Sequence, residues 1–282
     1  MNGDARFTEN IPQLAQTAAR LALRYCGSCQ NYHFLWPYLR LIGTPGRAGD
    51  SQGFLESALA EPTSNDQWRV LIAGCADTGL LSVVARATTG DRQAGITVLD
   101  RCRTPLELCR DFAERWALPL ETLHVDLVDL SVDPRFDIVL AHTTLTFIVP
   151  ERRLEAMTRL RRALRPGGKL ILRFRTRGDV EAAHLSTYRS TVPSRLIEQL
   201  DSMRLPLPES REALQRRVET YAAERHAREA SEPEYAEVEK LLDRAGFDIE
   251  AIVPVASDHS ASFEKASAAL SSRLFVATAT TR

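Results

Sequence analysis

Val70-Leu71-Ile72-Ala73-Gly74-Cys75-Ala76-Asp77-Thr78-Gly79 runs from four apolar residues into a loop bounded by two glycines. The apolar run predicts a short strand, Val70–Ala73, buried on both faces. Gly79–Ala87 predicts a helix directly after the loop. Glycine permits the sharp turn between them and lets a ligand approach the backbone closely. The spacing is G-x-A-x-x-G, with Ala76 where a dinucleotide-binding loop carries its middle glycine. Taken alone, such a loop is equally an ordinary strand-to-helix turn.

Reading outward, strands continue to alternate with helices. Ile96–Leu99 predicts a second strand. Thr104–Trp116 predicts a helix capped by Thr104, with Pro105 at its first position and Glu107 completing a capping box. Leu123–Val125 and Phe136–Ala141 predict the third and fourth strands, and Pro150–Leu164 a helix. Arg165-Pro166-Gly167-Gly168 then turns the chain into a fifth strand, Lys169–Phe174. This order predicts an α/β fold with a doubly wound sheet. A helix over Glu234–Ala245, closed by Gly246, leads to two last strand candidates, Phe247–Val255 and Leu274–Thr280. Upstream, residues 1–65 read as a mainly helical extension, with helices over Ile11–Tyr25 and Gln52–Ala60. Residues 177–231 interrupt the sheet as a charged helical insert. Arg216, Arg217, Glu219, Glu224 and Arg225 there read as a solvated helix face. The insert's position fits a lid over a substrate or a contact between copies in a homodimer.

Composition narrows the functions. The 282 residues are 44% hydrophobic and 26% charged, as in ordinary globular proteins. The formal net charge of -1 provides no basic surplus for binding nucleic acid. No run approaches the ~18 apolar residues of a membrane span. The polar start, Met1–Thr8, does not read as a signal peptide, so a cytoplasmic location is expected. Five cysteines, an odd number, argue against a disulfide framework.

Acidic residues end two successive strands. Asp100 follows the second strand about 20 residues after the last glycine, where a carboxylate accepts bonds from ribose hydroxyls. A surface aspartate or a cap for the next helix is the competing reading. Asp126 follows the third strand and can accept from an exocyclic amine. In a parallel sheet these ends lie side by side at the carboxyl edge, where ligands bind.

The whole pattern resembles the class I S-adenosylmethionine-dependent methyltransferases. Val70–Gly79 resembles their glycine-rich first motif, Val98-Leu99-Asp100 the second, and His124-Val125-Asp126-Leu127 the third-strand motif. Phe136–Ala141 resembles their fourth strand, and Leu164-Arg165-Pro166-Gly167-Gly168-Lys169-Leu170 the turn before their fifth. The resemblance covers roughly residues 66–176 and 235–282, making 66–282 the expected methyltransferase domain. It implies a Rossmann-like sheet of about seven strands, the last antiparallel. It also implies S-adenosylmethionine as cofactor, held by Gly74, Cys75, Ala76, Asp77, Gly79, Asp100, Arg101, Asp126, Leu127 and His142. One departure concerns the acidic residue that usually precedes the first glycine. Ala73 stands there, with Asp77 as a possible replacement.

The implied reaction is in-line displacement at an activated sulfonium methyl, so the protein chiefly aligns the acceptor and excludes water. A base is needed only where the acceptor must lose a proton. His142, directly after the fourth strand, is the candidate base, unless it is a structural histidine bonded to a neighbouring loop. Arg173 and Arg175 alternate along the fifth strand, where unpaired charge is costly. They either grip a carboxylate or pair with acids of the insert. Cys26-x-x-Cys29-x-x-x-His33 contains metal-ligand types, but the sequence offers no fourth ligand nearby. These residues read as small core groups, and no metal is expected. Tyr32, Phe34, Trp36 and Tyr38 read as core, with the option that some line a pocket.

The expected function is methylation of a small molecule. A nicotinamide-dependent oxidoreductase also fits Gly74, Gly79 and Asp100, but the Arg-Pro-Gly-Gly turn and the antiparallel end of the sheet count against it. A binding or regulatory protein that keeps the fold is the non-enzymatic alternative.

Overall fold

Strand β1 (Arg69–Ala73) is buried after its first residue, and the two faces of its pleat go separate ways. Leu71 and Ala73 join one apolar core, while Val70 and Ile72 join another. Period-two alternation with apolar residues on both faces requires cover on both sides of a sheet. The cover is supplied by α4 (Gly79–Ala87) and α5 (Arg103–Trp116) on one side and by α6 (Arg153–Ala163) and α9 (Tyr235–Arg244) on the other. The computed structural model describes residues 7–43, 52–60, 68–88, 94–175, 183–229, 232–254 and 272–280. Val255 and residues 177–182 and 230–231 of the expected insert lie outside these.

The remaining strands are β2 (Gly95–Asp100), β3 (Leu120–His124), β4 (Phe136–His142), β5 (Leu164–Arg175), β6 (Phe247–Pro254) and β7 (Ser272–Ala279). They form one seven-stranded sheet in the order β3-β2-β1-β4-β5-β7-β6. The first five strands are parallel, and β7 runs antiparallel to both β5 and β6. This is the expected Rossmann-like sheet with an antiparallel end. The strand order reverses between β1 and β4, which opens a crevice at their carboxyl ends.

Two local expectations need correction. The Arg-Pro-Gly-Gly turn is looped out within β5, so that Phe136 pairs with Leu164 and Ile138 with Lys169. Gly167, at φ +75°, carries the bend. Thr104 is not the cap of α5. The helix starts at Arg103 with Cys102 at the cap position, and no side chain closes it. Thr104 is fully buried, and its hydroxyl donates instead to the Leu21 carbonyl at 3.2 Å. Glu107 pairs with Arg103 and Arg110. A tertiary contact has overridden the local capping preference.

A third core lies apart from the sheet. It joins α1 (Ile11–Tyr25) and α2 (Gln30–Leu41) to α7 (Ala183–Ser202) and α8 (Arg211–Glu229). Ala15, Ala19 and Ala22 present a small-residue face on α1, against which Phe34, Leu35 and Tyr38 of α2 pack. Helices α1 and α2 and the insert helices α7 and α8 are therefore one helical layer, whereas α3 (Gln52–Ala60) packs Leu55 and Leu59 into the sheet core beside α4. No helix among the described residues is long and apolar enough to cross a membrane.

Candidate functional site

The carboxyl ends of β1, β2, β4 and β5 bring together Ala73, Asp100, His142 and Arg173. Gly74 turns the chain out of β1 at φ +83°, and its amide donates to the Leu99 carbonyl at 2.7 Å. A β-carbon there would lie 2.6 Å from Thr144 Cγ2. Thr144 cannot easily yield, because its hydroxyl donates to the Ala73 carbonyl at 2.6 Å. Gly74, Cys75 and Ala76 remain half-buried, while Asp77, Thr78 and Gly79 are buried. Only the first half of the loop lines the open edge.

Asp100 fastens that half of the loop. Its Oδ2 accepts from the Cys75 amide at 3.0 Å and its Oδ1 from the Cys102 amide at 2.7 Å. An ionised carboxylate offers about four acceptor sites, so two amides leave capacity for a pair of hydroxyls. Burial raises the Asp100 pKa, opposed by the two amides and by nearby His33.

Asp77 is turned inward. Its Oδ1 accepts from the Gly79 amide at 2.8 Å, and its Oδ2 from Arg40 Nη1 at 2.7 Å. Arg40 also pairs with Glu9, whose Oε1 accepts from Thr78. Burial pushes the Asp77 carboxyl up, opposed by the Arg40 charge. The second half of the loop is thus tied to α2 by charge.

Asp126 Oδ1 accepts from the Val128 amide at 3.2 Å. The Leu127 side chain is buried in the core beneath the crevice. Arg101 is exposed, with its carbonyl 3.2 Å from His124 Nε2.

Arg173 Nη1 donates to His142 Nε2 at 3.0 Å. This leaves the ring proton of a neutral imidazole on Nδ1. Burial and the Arg173 charge push His142 well below its usual pKa. In the unfolded chain His142 takes up a proton near pH ~6.5, whereas the folded chain resists it. Acid therefore favours unfolding, and the contribution is lost as pH falls below that value. The unfolding free energy read from urea titrations should fall between pH 7.5 and 5.5, by at most about 1.4 kcal/mol per pH unit for one proton. The fall should be smaller in His142→Gln. An equal fall in both proteins would assign the effect to other groups.

Above the crevice, Tyr32 of α2 meets Phe147 at a ring separation of 4.8 Å, Trp36 at 5.4 Å and Tyr221 of α8 at 6.3 Å. The Arg228 guanidinium lies 5.0 Å from the Phe147 ring. Helices α2 and α8 thus cover the strand ends with aromatic surface. On the Asp100 side, Cys26, Cys29 and His33 converge with Cys102. Sequence reasoning did not single out Thr144, Arg40, Glu9 or Cys102. Arg40 and Glu9 reach the site from a distant part of the chain, so spacing carried no signal for them, whereas Thr144 and Cys102 stand two residues beyond His142 and Asp100 and are singled out only by the contacts they make.

Residues 70–168 match the family model described as a methyltransferase domain. A carboxy-S-adenosyl-L-methionine synthase of Ectopseudomonas mendocina is 46% identical over 67 residues, covering 24% of this chain and 27% of that protein. The synthase of Pseudomonas savastanoi pv. phaseolicola is 28% identical over 141 residues, covering 48% of this chain and 55% of that one. The chain thus spans between about a quarter and about half the length of these relatives. Among solved structures, the Burkholderia thailandensis 1,6-didemethyltoxoflavin-N1-methyltransferase, with bound 1,6-didemethyltoxoflavin and S-adenosylhomocysteine, has a similar fold. The TM-score is 0.53 at 15% identity, covering 98% of this chain and 93% of that one.

Proposed function

We propose, for a chain that carries a methyltransferase domain with the class I fold, that it binds S-adenosylmethionine and methylates a small molecule. The observation that carries this reading is the junction of Gly74, Cys75 and Asp100. A glycine at positive φ lets the ligand approach the backbone. The Asp100 carboxylate, held by two amides, keeps acceptor capacity for the ribose hydroxyls. The cofactor, when bound, supplies a methyl group already activated by its sulfonium.

The work left to this chain is alignment and exclusion of water. The aromatic group of Tyr32, Trp36, Phe147 and Tyr221 supplies a planar, apolar surface over the strand ends, suited to a small acceptor. His142 is poorly placed as a general base. Its Nε2 lone pair already accepts from Arg173, and protonation would set two cations together. The arrangement favours an acceptor that needs no base, with His142 and Arg173 shaping the pocket wall. The net charge of -1 supports a small molecule over a nucleic acid, and the free cysteines suit a cytoplasmic setting.

Calorimetry with S-adenosylmethionine, with NAD as the control ligand, tests the cofactor. Binding of the methyl donor alone is expected, weakened at least about tenfold in Asp100→Ala. Binding of NAD alone would sink the reading. A second reading takes up the relatives' names: the enzyme would carboxylate the cofactor rather than methylate an acceptor. Arg173, buried at the end of β5, supports it as a cation that would meet a carboxylate. Mass spectrometry separates the two by whether S-adenosylhomocysteine or carboxylated S-adenosylmethionine accumulates.

A further inference from the structure

Four metal-ligand side chains that the proposed reaction does not use meet at one point. Cys26 is at the C-cap of α1, and Cys29 at the N-cap of α2. His33 lies one turn into α2, its amide donating to the Cys29 carbonyl at 3.1 Å. The turn between the helices thus directs two sulfurs and one imidazole the same way. Cys102 arrives from the sheet, at the N-cap of α5. Cys26 Sγ lies 3.4 Å from both Cys102 Sγ and His33 Nδ1, and the four ligand atoms all lie within 4.8 Å of one another.

We propose that Cys26, Cys29, His33 and Cys102 bind one zinc ion that fastens the N-terminal helices to the end of β2. Tetrahedral zinc with sulfur at ~2.3 Å and nitrogen at ~2.0 Å places its ligands about 3.5–3.8 Å apart. The observed separations bracket that range. Three thiols and an imidazole select zinc over magnesium or calcium, which take oxygen ligands. A disulfide between Cys26 and Cys102 would use two sulfurs and leave the convergence of Cys29 and His33 without a purpose. Four protein ligands close the coordination shell, so the ion is structural and not catalytic.

The position gives the ion a specific effect. The Cys102 amide donates to Asp100 Oδ1. Fixing Cys102 therefore fixes the carboxylate that holds the glycine loop, while Cys26, Cys29 and His33 fix the helical cover. The binding free energy of the ion adds to folding stability.

The test uses the full chain, purified under reducing conditions without chelator. Elemental analysis is expected to give about one zinc per chain. Replacing zinc with cobalt(II) should produce thiolate-to-cobalt charge-transfer absorption and the intense visible bands of a tetrahedral site. Cys102→Ser should lose zinc to a competing chelator at least about tenfold more readily. Because this variant could fail to fold, the wild-type cobalt spectrum is the deciding measurement. No bound zinc together with no tetrahedral cobalt spectrum would overturn the proposal, as would a Cys26–Cys102 disulfide in the freshly isolated, unreduced protein. Metal content is read without any cofactor, so failure of the zinc site and failure of S-adenosylmethionine binding are separate results.

Discussion

Arg40→Met is expected to destabilise the protein by about 3–5 kcal/mol, the usual cost of removing one partner from a buried charge network. Arg40 carries the positive charge between Glu9 and Asp77, with separations of 2.5 Å and 2.7 Å and little exposure of any of the three side chains. Methionine keeps much of the packing of the side chain but strands two carboxylates. Denaturant unfolding of the purified variant measures the loss. Adding Glu9→Gln and Asp77→Asn to Arg40→Met should recover a substantial part of it, since the cost lies in the stranded charges. A loss under about 1 kcal/mol would mean that the network behaves like an exposed ion pair.

Gly74→Ala is expected to weaken S-adenosylmethionine binding by at least about tenfold and to lower stability by roughly 2 kcal/mol. A left-handed backbone costs an alanine about 1–2 kcal/mol. Its new methyl would also overlap Thr144 Cγ2, whose hydroxyl is anchored on the Ala73 carbonyl. Thr144→Ala alone should have a much smaller effect. Combined with Gly74→Ala it should relieve the overlap but not the backbone strain, leaving binding only partly restored. Calorimetry on the three variants separates the contributions. Binding by Gly74→Ala within twofold of wild type would show that the loop does not approach the ligand closely.

The sheet and its strand ends were legible because both are periodic or local. Apolar runs on both faces betrayed the parallel strands, and Asp100 stood at a strand end in plain order. The Arg-Pro-Gly-Gly turn was the most discriminating signal, yet it lies at the opposite edge from the crevice. Arg165 donates to both oxygens of Asp137, and Oδ2 also accepts from the Arg69 amide at 2.7 Å. That turn reports the fold, whereas the chemistry depends on other residues. The charge network left no trace in spacing, since it joins residues 31 and 37 positions apart. Cys26, Cys29 and His33 stood out as ligand types, but Cys102, which completes the cluster, lies 76 positions from Cys26. Thr104 shows the reverse error. A strong local capping pattern gave way to a contact with Leu21, 83 residues away.

The third core has a consequence for the order in which the chain can be assembled. Its first helices leave the ribosome early, but Asn31 must wait for Arg217 and Glu224, 186 and 193 residues later. At ~5–20 residues per second, that interval is on the order of ten seconds or more. During it, the apolar faces of α1 and α2 have each other but not their later partners. Contacts so distant in sequence also slow folding, because a large loop must close before they form. The helical layer that covers the crevice is therefore completed only once α8 has emerged, with β6 and β7 of the sheet following later still, and through that interval its early helices offer apolar surface to a chaperone.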